Sequence, residues 1–416
     1  ESSLQPGDSP ERESVISGKA MKIDTATDQE RLLLSLTYLF LGLALLHLWL
    51  AQPGRSILPF ALVLFSVVLC SGAVHYVLRR AAPHLDPLIF PLILSLTSLG
   101  LVMTLRLAPA LYLKQLLWFL LGSLLMVLVI LVPRSLRWLQ RYRYSWLIPA
   151  LILLAFTLAL GVNPLGRGAR LWLGLGGLYF QPSEFLKVVL VIFLASYLAD
   201  KQGLLRVPVS TVDRISSPSA PYLAPLLLIW GMTLLLLIAQ EDLGAGTLMF
   251  GTMLVMLYVA SRQSCYIYGG MALLITAGIM SYHISRFVAL RVDMWLNPWL
   301  DSQAGGYQIV QSLLSLAAGG ILGTGLGQGY GADYIPIVHT DFVFAAIGEE
   351  LGLSGALAVL IIYVLLLYRG LRIATLASTG FERMLALGLS VSITLQAWVI
   401  AGGNLKILPL TGVTLP

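Results

Sequence analysis

Apolar residues fall in long runs along this chain, not in the short alternations of a soluble fold. Eleven such segments stand near 33–50, 57–78, 87–107, 115–133, 145–162, 183–199, 223–240, 245–262, 265–283, 341–368 and 384–401. A helix needs about 20 apolar residues to cross a bilayer, and membrane helices tolerate the proline and glycine found in several of these runs. The pattern predicts an all-α polytopic membrane protein, a helical bundle of eleven transmembrane spans. Residues 1–31 are polar and read as a cytoplasmic N-terminal tail; they open with no apolar leader, so no cleavable signal peptide is expected. Two later polar stretches, 163–182 and 284–340, are long and rich in Gly, Trp, Tyr, Asn and Gln. The second is too apolar at 309–316 for disorder, and a loop of that length is usually functional. It is expected to fold back onto the membrane face.

Composition narrows the class. The chain has 416 residues, 58% hydrophobic and only 11% charged, with a mean hydropathy of +0.86. Soluble proteins carry about 25% charged residues, so a soluble enzyme, a disordered chain and a nucleic-acid binder are excluded. With the N-terminus in the cytoplasm, cytoplasmic stretches hold seventeen Lys and Arg and external stretches eight, with Lys187 inside a helix. Basic residues concentrate on the cytoplasmic side of membrane proteins, so the net charge of +6 is a topology signal and 163–182 and 284–340 are expected outside. Cys70 and Cys265 suggest neither a disulfide framework nor a metal site, and the five histidines include no pair at metal spacing.

Ionisable groups inside or at the rim of apolar spans are costly and mark functional sites. Four clusters qualify. The first runs from Arg170 and Trp172 through Gln181, Ser183, Glu184 and Lys187; Pro182 suits a first helical turn, and Glu184 and Lys187 share a helix face as an internal ion pair or a cavity lining. The second is Gln240–Glu241–Asp242, a solvated turn or a site. The third runs from Arg291 and Asp293 through Asp301 to Tyr307, Gln308 and Gln311; its Asp301 either does chemistry, pairs with Arg291, or caps the helix of Tyr307. The fourth is His339–Thr340–Asp341 with Glu349 and Glu350. Asp341 either caps a helix or serves the site, and at least one glutamate, lying deep in a span, must face a polar interior. Glycines from 319 to 331 lack any nucleotide-loop pattern and are expected to form a flexible re-entrant turn.

In order along the chain, GARLWLGLG, QPSEFLK, EDLGAG, GGYQIVQSLLSLAAGGILGTGLGQG and HTDFVFAAIGEELGLSG resemble the SEDS family (shape, elongation, division and sporulation), whose members include RodA and FtsW. The resemblance covers roughly 87–416. It leaves 32–86 as two extra N-terminal transmembrane helices, as in longer members. The family's last helix is missing after NLKILPLTGVTLP, so the chain resembles a truncated member. Two departures stand out: the usual Gln-Pro-Asp reads Gln240-Glu241-Asp242, and the usual Leu-Pro-Glu reads Ile335-Pro336-Ile337.

The resemblance implies a peptidoglycan polymerase of the bacterial cell membrane. Such an enzyme adds a lipid-linked disaccharide–pentapeptide, lipid II, to a growing glycan strand at the outer face, for elongation or division. Its implied partner is a class B penicillin-binding protein. The resemblance puts the catalytic aspartate just before GYQ, at Asp301. Substrate-binding residues are then expected among Lys114, Arg170, Trp172, Gln181, Glu184, Lys187, Asp242, Tyr307, Gln308, Gln311, His339 and Asp341. The chemistry agrees: a sugar hydroxyl needs a general base, and a departing pyrophosphate needs positive charge from Arg170, Lys187, Lys114 or a divalent ion (Mg or Mn). The alternatives are a lipid II flippase without chemistry and a non-catalytic scaffold.

Overall fold

A computed structural model describes residues 10–52, 54–131, 136–163, 169–175, 178–205, 220–303 and 305–416. The described chain is almost entirely helical and divides into two compact units, Glu1–Val132 and Pro133–Pro416. Ten helices are long and apolar enough to cross a membrane among the described residues. The seventh expected span is a further apolar helix, Ala220–Ala239, whose apolar stretch Ala224–Ala239 is shorter.

The first unit holds α1 (Pro10–Leu50), α2 (Leu58–Ala81), α3 (Ile89–Leu107) and α4 (Tyr112–Leu131). Helix α1 begins within the stretch expected to be a polar tail, and its candidate span is Asp28–Leu50; residues 1–9 of that tail lie outside the described residues. The two extra helices pack on the other two, α1 against α3 and α2 against α4. Glu30, 3% exposed, is an expensive group for a span. Arg79 of α2 pairs with it, and His75 Nδ1 stands 3.1 Å from its carboxylate.

The second unit holds α5 (Arg137–Arg141), α6 (Arg143–Leu160), α7 (Pro182–Leu205), α8 (Ala220–Ala239), α9 (Leu243–Ser261), α10 (Cys265–Ile284), α11 (Arg286–Leu296), α12 (Tyr307–Gly319), α13 (Gly331–Tyr334), α14 (Val338–Asp341), α15 (Val343–Glu350), α16 (Gly352–Leu376) and α17 (Gly380–Asn404). Helix α7 is its centre, packing on α6, α9 and α17. Between helices in lipid, association depends on close van der Waals contact and small residues. Gly388 of α17 is such a point: a Cβ there would meet Met256 Sδ and Val191 Cγ1 at 2.7 Å.

Three expectations are corrected. The segment 163–182 is not plain loop; its described part carries an antiparallel hairpin, β1 (Leu173–Leu175) with β2 (Leu178–Phe180). The segment 284–340 is largely helical, containing α11 to α14. The run 341–368 is not one span: α15 ends at Glu350, and α16 starts at Gly352. Gly352 breaks the run because its φ of +69° is left-handed, a conformation glycine adopts freely.

Candidate functional site

The start of α7 is built from side chains that satisfy one another. Pro182 opens the helix. Gln181 Nε2 donates to Ser183 Oγ at 3.0 Å, and Ser183 Oγ donates to Asp242 Oδ2 at 3.1 Å. Asp242 is the N-cap of α9, accepting from the Ala245 N–H at 3.1 Å. It is no solvated turn, being 6% exposed. Burial pushes its carboxyl above the ordinary range; the Ala245 N–H and Ser183 oppose that, Glu184 adds to it, and Lys187 opposes it.

One turn on, Lys187 Nζ stands 2.7 Å from Glu184 Oε2 and donates to Gln396 Oε1 at 2.6 Å. Gln396 in turn donates to the Thr414 carbonyl at 2.8 Å. The buried ammonium is therefore paired as expected, and it also ties α7 to α17 and to the segment 405–416. Gln240, beside Asp242, donates to the Leu154 carbonyl at 2.6 Å and to Thr157 Oγ1.

Arg291 of α11 is the cation that faces the acids. Its guanidinium lies 4.3 Å from the Phe287 ring centroid and donates to the Leu410 carbonyl at 3.4 Å. Burial lowers its pKa, and Asp341, Asp242 and Glu241, in that order, oppose the shift. Arg291 thus lies within electrostatic reach of acids far apart in sequence. Asp341 does not cap a helix, the first of its two expected roles: it is the last residue of α14, and Phe342 takes the cap position of α15 without a side-chain bond. Burial raises the Asp341 carboxyl, opposed by the Thr340 hydroxyl, Arg291 and His339. Beside Arg291 a cavity of about 550 Å³ opens between α9, α10 and α11, with Leu243, Ile279, Val292 and Leu408 among its apolar walls.

Asp301 ends a short turn, Pro298–Asp301, that follows α11. Its Oδ2 accepts from the Gly305 N–H at 2.9 Å and its carbonyl from the Gly306 N–H at 3.0 Å. Among the described residues no donor reaches its Oδ1, and Arg291 is not its partner. Helix α12 follows, with Tyr307 in its first turn and Gln308 and Gln311 half-buried on one face. Gln308 Nε2 reaches the Pro336 carbonyl at 3.5 Å.

Asn404, which the sequence reading missed, locks this region. Its Nδ2 donates to the Asp341 carbonyl at 2.9 Å, its Oδ1 accepts from the Ala345 N–H at 3.1 Å, and its carbonyl accepts from Ser312 Oγ at 3.2 Å. The signal for it was a lone amide closing an apolar run. The glycine run is not a plain turn either. Glu349 and Glu350, each 2% exposed, take its amides: Glu349 accepts from Tyr330 and Gly331 at 2.7 and 2.9 Å, and Glu350 from Gly327 at 2.8 Å. Charge-assisted bonds to N–H groups offset the desolvation of buried carboxylates. A Cβ at Gly331 would stand 2.5 Å from Glu349 Oε2 and 2.6 Å from Ser315 Oγ, so any larger residue must displace them.

The structure thus gathers Gln181, Glu184, Lys187, Asp242, Arg291, His339 and Asp341. Arg170 is exposed, and Trp172 is half-buried in a bridge to Val162; Gly168 and Ala304 lie outside the described residues. Lys114 belongs to the first unit, exposed in the first turn of α4. Among the described residues no three His, Cys, Asp or Glu side chains converge into a ready ligand set for a divalent cation.

Residues 83–416 match the family model FTSW_RODA_SPOVE, described as cell cycle protein. The peptidoglycan glycosyltransferase RodA of Mycobacterium tuberculosis is 38% identical over 357 residues, covering 83% of this chain and 76% of that protein. Stage V sporulation protein E of Bacillus subtilis is 36% identical over 267 residues, covering 64% of this chain and 69% of that protein. A solved chain from a peptidoglycan synthase complex, described for its coordination of polymerization and crosslinking, aligns with a TM-score of 0.54 and 27% identity, covering 85% of this chain and 89% of that one.

Proposed function

The chain belongs to the FtsW/RodA/SpoVE family of cell cycle proteins, and from that premise we propose that it is a peptidoglycan glycosyltransferase of the membrane. It transfers the lipid-linked disaccharide–peptide, lipid II, onto a growing glycan strand. The observation that carries this reading is the apolar cavity lined by Arg291, whose charge Asp341 and Asp242 favour, on the same α11 that leads into the Asp301 turn. An apolar wall suits a polyprenyl tail, and a guanidinium at its edge suits a pyrophosphate.

In this reading the acceptor 4-hydroxyl attacks the anomeric carbon of the donor sugar. Its proton passes to Asp301 Oδ1, the oxygen no described donor occupies. The C–O bond to the pyrophosphate breaks with inversion, and the lipid pyrophosphate leaves. Amides of Gly305 and Gly306 fix the turn, so the base is held in place before substrate arrives. Arg291 faces the leaving charge, a role that Lys187 is less free to take because Glu184 and Gln396 engage its ammonium. Asp242 and Asp341 favour the charged form of Arg291, while Phe287 and the Leu410 carbonyl fix its place. Gln308 and Gln311 offer amides to sugar hydroxyls.

The active side is the outer face and the N-terminus is cytoplasmic, following the Lys and Arg distribution. This alternation requires α8 to cross as well; its 20 residues span about 30 Å. The partner is a class B penicillin-binding protein, in keeping with the synthase complex that the chain resembles. The test is incubation of the purified chain, with and without that partner, with labelled lipid II. Polymer formation that Asp301→Asn abolishes supports the reading. Movement of lipid II across a bilayer without polymer would favour a flippase.

A further inference from the structure

At the other end of the same helices lies a second cavity of about 440 Å³, lined among others by Arg137, Arg141, Arg143, Tyr144, Asp200 and Glu382. The start of α6, the end of α7 and the start of α17 form it, so three candidate spans end at one level there. Three guanidinium groups face two carboxylates, and both carboxylates are engaged. Asp200 accepts from Arg143 Nη1 at 2.5 Å and from Gln140 Nε2 at 3.0 Å. Glu382 closes the capping box of α17 by accepting from the Thr379 N–H at 3.3 Å. Arg143 is further fixed by Ser196 Oγ at 2.9 Å and lies near the Tyr144 and Tyr197 rings. Among its described lining residues the cavity thus carries three guanidinium groups and two carboxylates, the electrostatics of an anion site.

We propose that this cavity binds the phosphate headgroup of an anionic phospholipid. Three observations favour a lipid over a soluble phosphate. The site stands where apolar spans end, which is headgroup depth. Tyr144 lines it, and Trp138 and Tyr142 stand beside its lining arginines in sequence, 44%, 43% and 53% exposed, the aromatic side chains of an interfacial belt. From Tyr144 an exposed apolar stripe runs down α6 at helical spacing, through Ile148, Ile152 and Phe156. A phosphate held by Arg137 and Arg141 would leave its acyl chain along that stripe. Basic pockets between membrane helices are a recurrent form of headgroup recognition.

The test uses the full chain in detergent, with native mass spectrometry counting retained phosphatidylglycerol against phosphatidylcholine. Arg137 and Arg141 are exposed, and an unfolding midpoint equal to wild type checks that R137A/R141A keeps its fold. Each arginine near a lipid surface contributes about fivefold in affinity, so the double variant should retain phosphatidylglycerol about thirtyfold less well. R137K/R141K should keep part of it, since lysine supplies the charge without the planar fork. Phosphatidylglycerol retention equal to wild type in R137A/R141A would overturn the proposal. So would displacement of the lipid by millimolar inorganic phosphate or glycerol phosphate, which would assign the pocket to a soluble anion. Retention by R137A/R141A of phosphatidylcholine at the wild-type level, with phosphatidylglycerol lost, supports it.

Discussion

Helix α7 meets the same chemistry at its two ends in different surroundings. At its start, Ser183 and Lys187 engage Asp242 and Glu184, with Ser183, Lys187 and Asp242 all under 9% exposed. At its end, Ser196 and Asp200 engage Arg143, but the Arg143 and Asp200 side chains are 20% and 39% exposed. Buried polar groups must be satisfied by one another, and the first end accordingly forms two bonded chains, Gln181–Ser183–Asp242 and, through the half-exposed Glu184, Glu184–Lys187–Gln396. The second end is open to water and headgroups and tolerates imperfect pairing. The buried end suits pre-organised catalysis, and the open end suits exchangeable binding.

The sharpest way to break this contrast is at the turn beside the buried network. Asp301→Asn keeps the shape and the hydrogen bond from Gly305 but removes the proton acceptor. Loss of a general base lowers rates by about 10²–10⁴-fold, so lipid II polymerisation by the purified, correctly inserted variant should fall by that factor. A near-normal rate would hand the role to Asp341 or Asp242.

Next in size is the glycine loop over Glu349. Gly331→Ala forces a methyl to 2.5 Å from Glu349 Oε2 and breaks two amide contacts of a buried carboxylate. The expected loss is about 1–3 kcal/mol, read as a lower thermal unfolding midpoint in detergent. An unchanged midpoint would mean that the loop does not hold the glutamate.

The spans were legible because lipid demands continuous apolar helices; most helix ends agree with the runs to within about six residues, the run 341–368 excepted. Lys187 and its partner Glu184 were legible because they share one helix face. The break at Gly352 was not, because the apolar run continues through it and only backbone φ marks it. Partners brought by tertiary packing were equally hidden: Gln396 on Lys187, Ser183 on Asp242, and Asn404 on Asp341. Asp341 could be misread as a cap because a carboxylate before a helix usually is one. Both departures from the family pattern fall where φ is positive, at Glu241 (61°) and Ile337 (59°). Proline is locked near −65°, so the backbone at Glu241 is one that the usual Gln-Pro-Asp cannot adopt.

Smaller effects should appear in pH dependence. The folded Asp341 carboxyl lies above its ordinary range. Its contribution to stability is then present below about pH 3.9, the unfolded value, and is lost as pH rises through the folded one. Once pH has passed the folded value the ionised group costs stability, so Asp341→Asn should raise the unfolding midpoint at high pH while lowering polymerisation. Lys187→Met removes a charge that lowers the Asp242 pKa, so the acid limb of its pH–rate profile should move to higher pH. A limb that stays in place would detach Lys187 from Asp242.

The smallest effect belongs to the open end. Asp200→Asn removes the charge facing Arg143 but keeps an oxygen able to accept one hydrogen bond. Pairs this exposed are worth about 0–1 kcal/mol, partly screened by salt. The unfolding midpoint should therefore shift far less than in Gly331→Ala, and the shift should shrink further as ionic strength rises. Arg143 would at the same time lose its anion, leaving the cavity more positive, so retention of phosphatidylglycerol should increase. A loss as large as that of Gly331→Ala, insensitive to salt, would show that Asp200 belongs to a buried network after all and that the two ends of α7 are built alike.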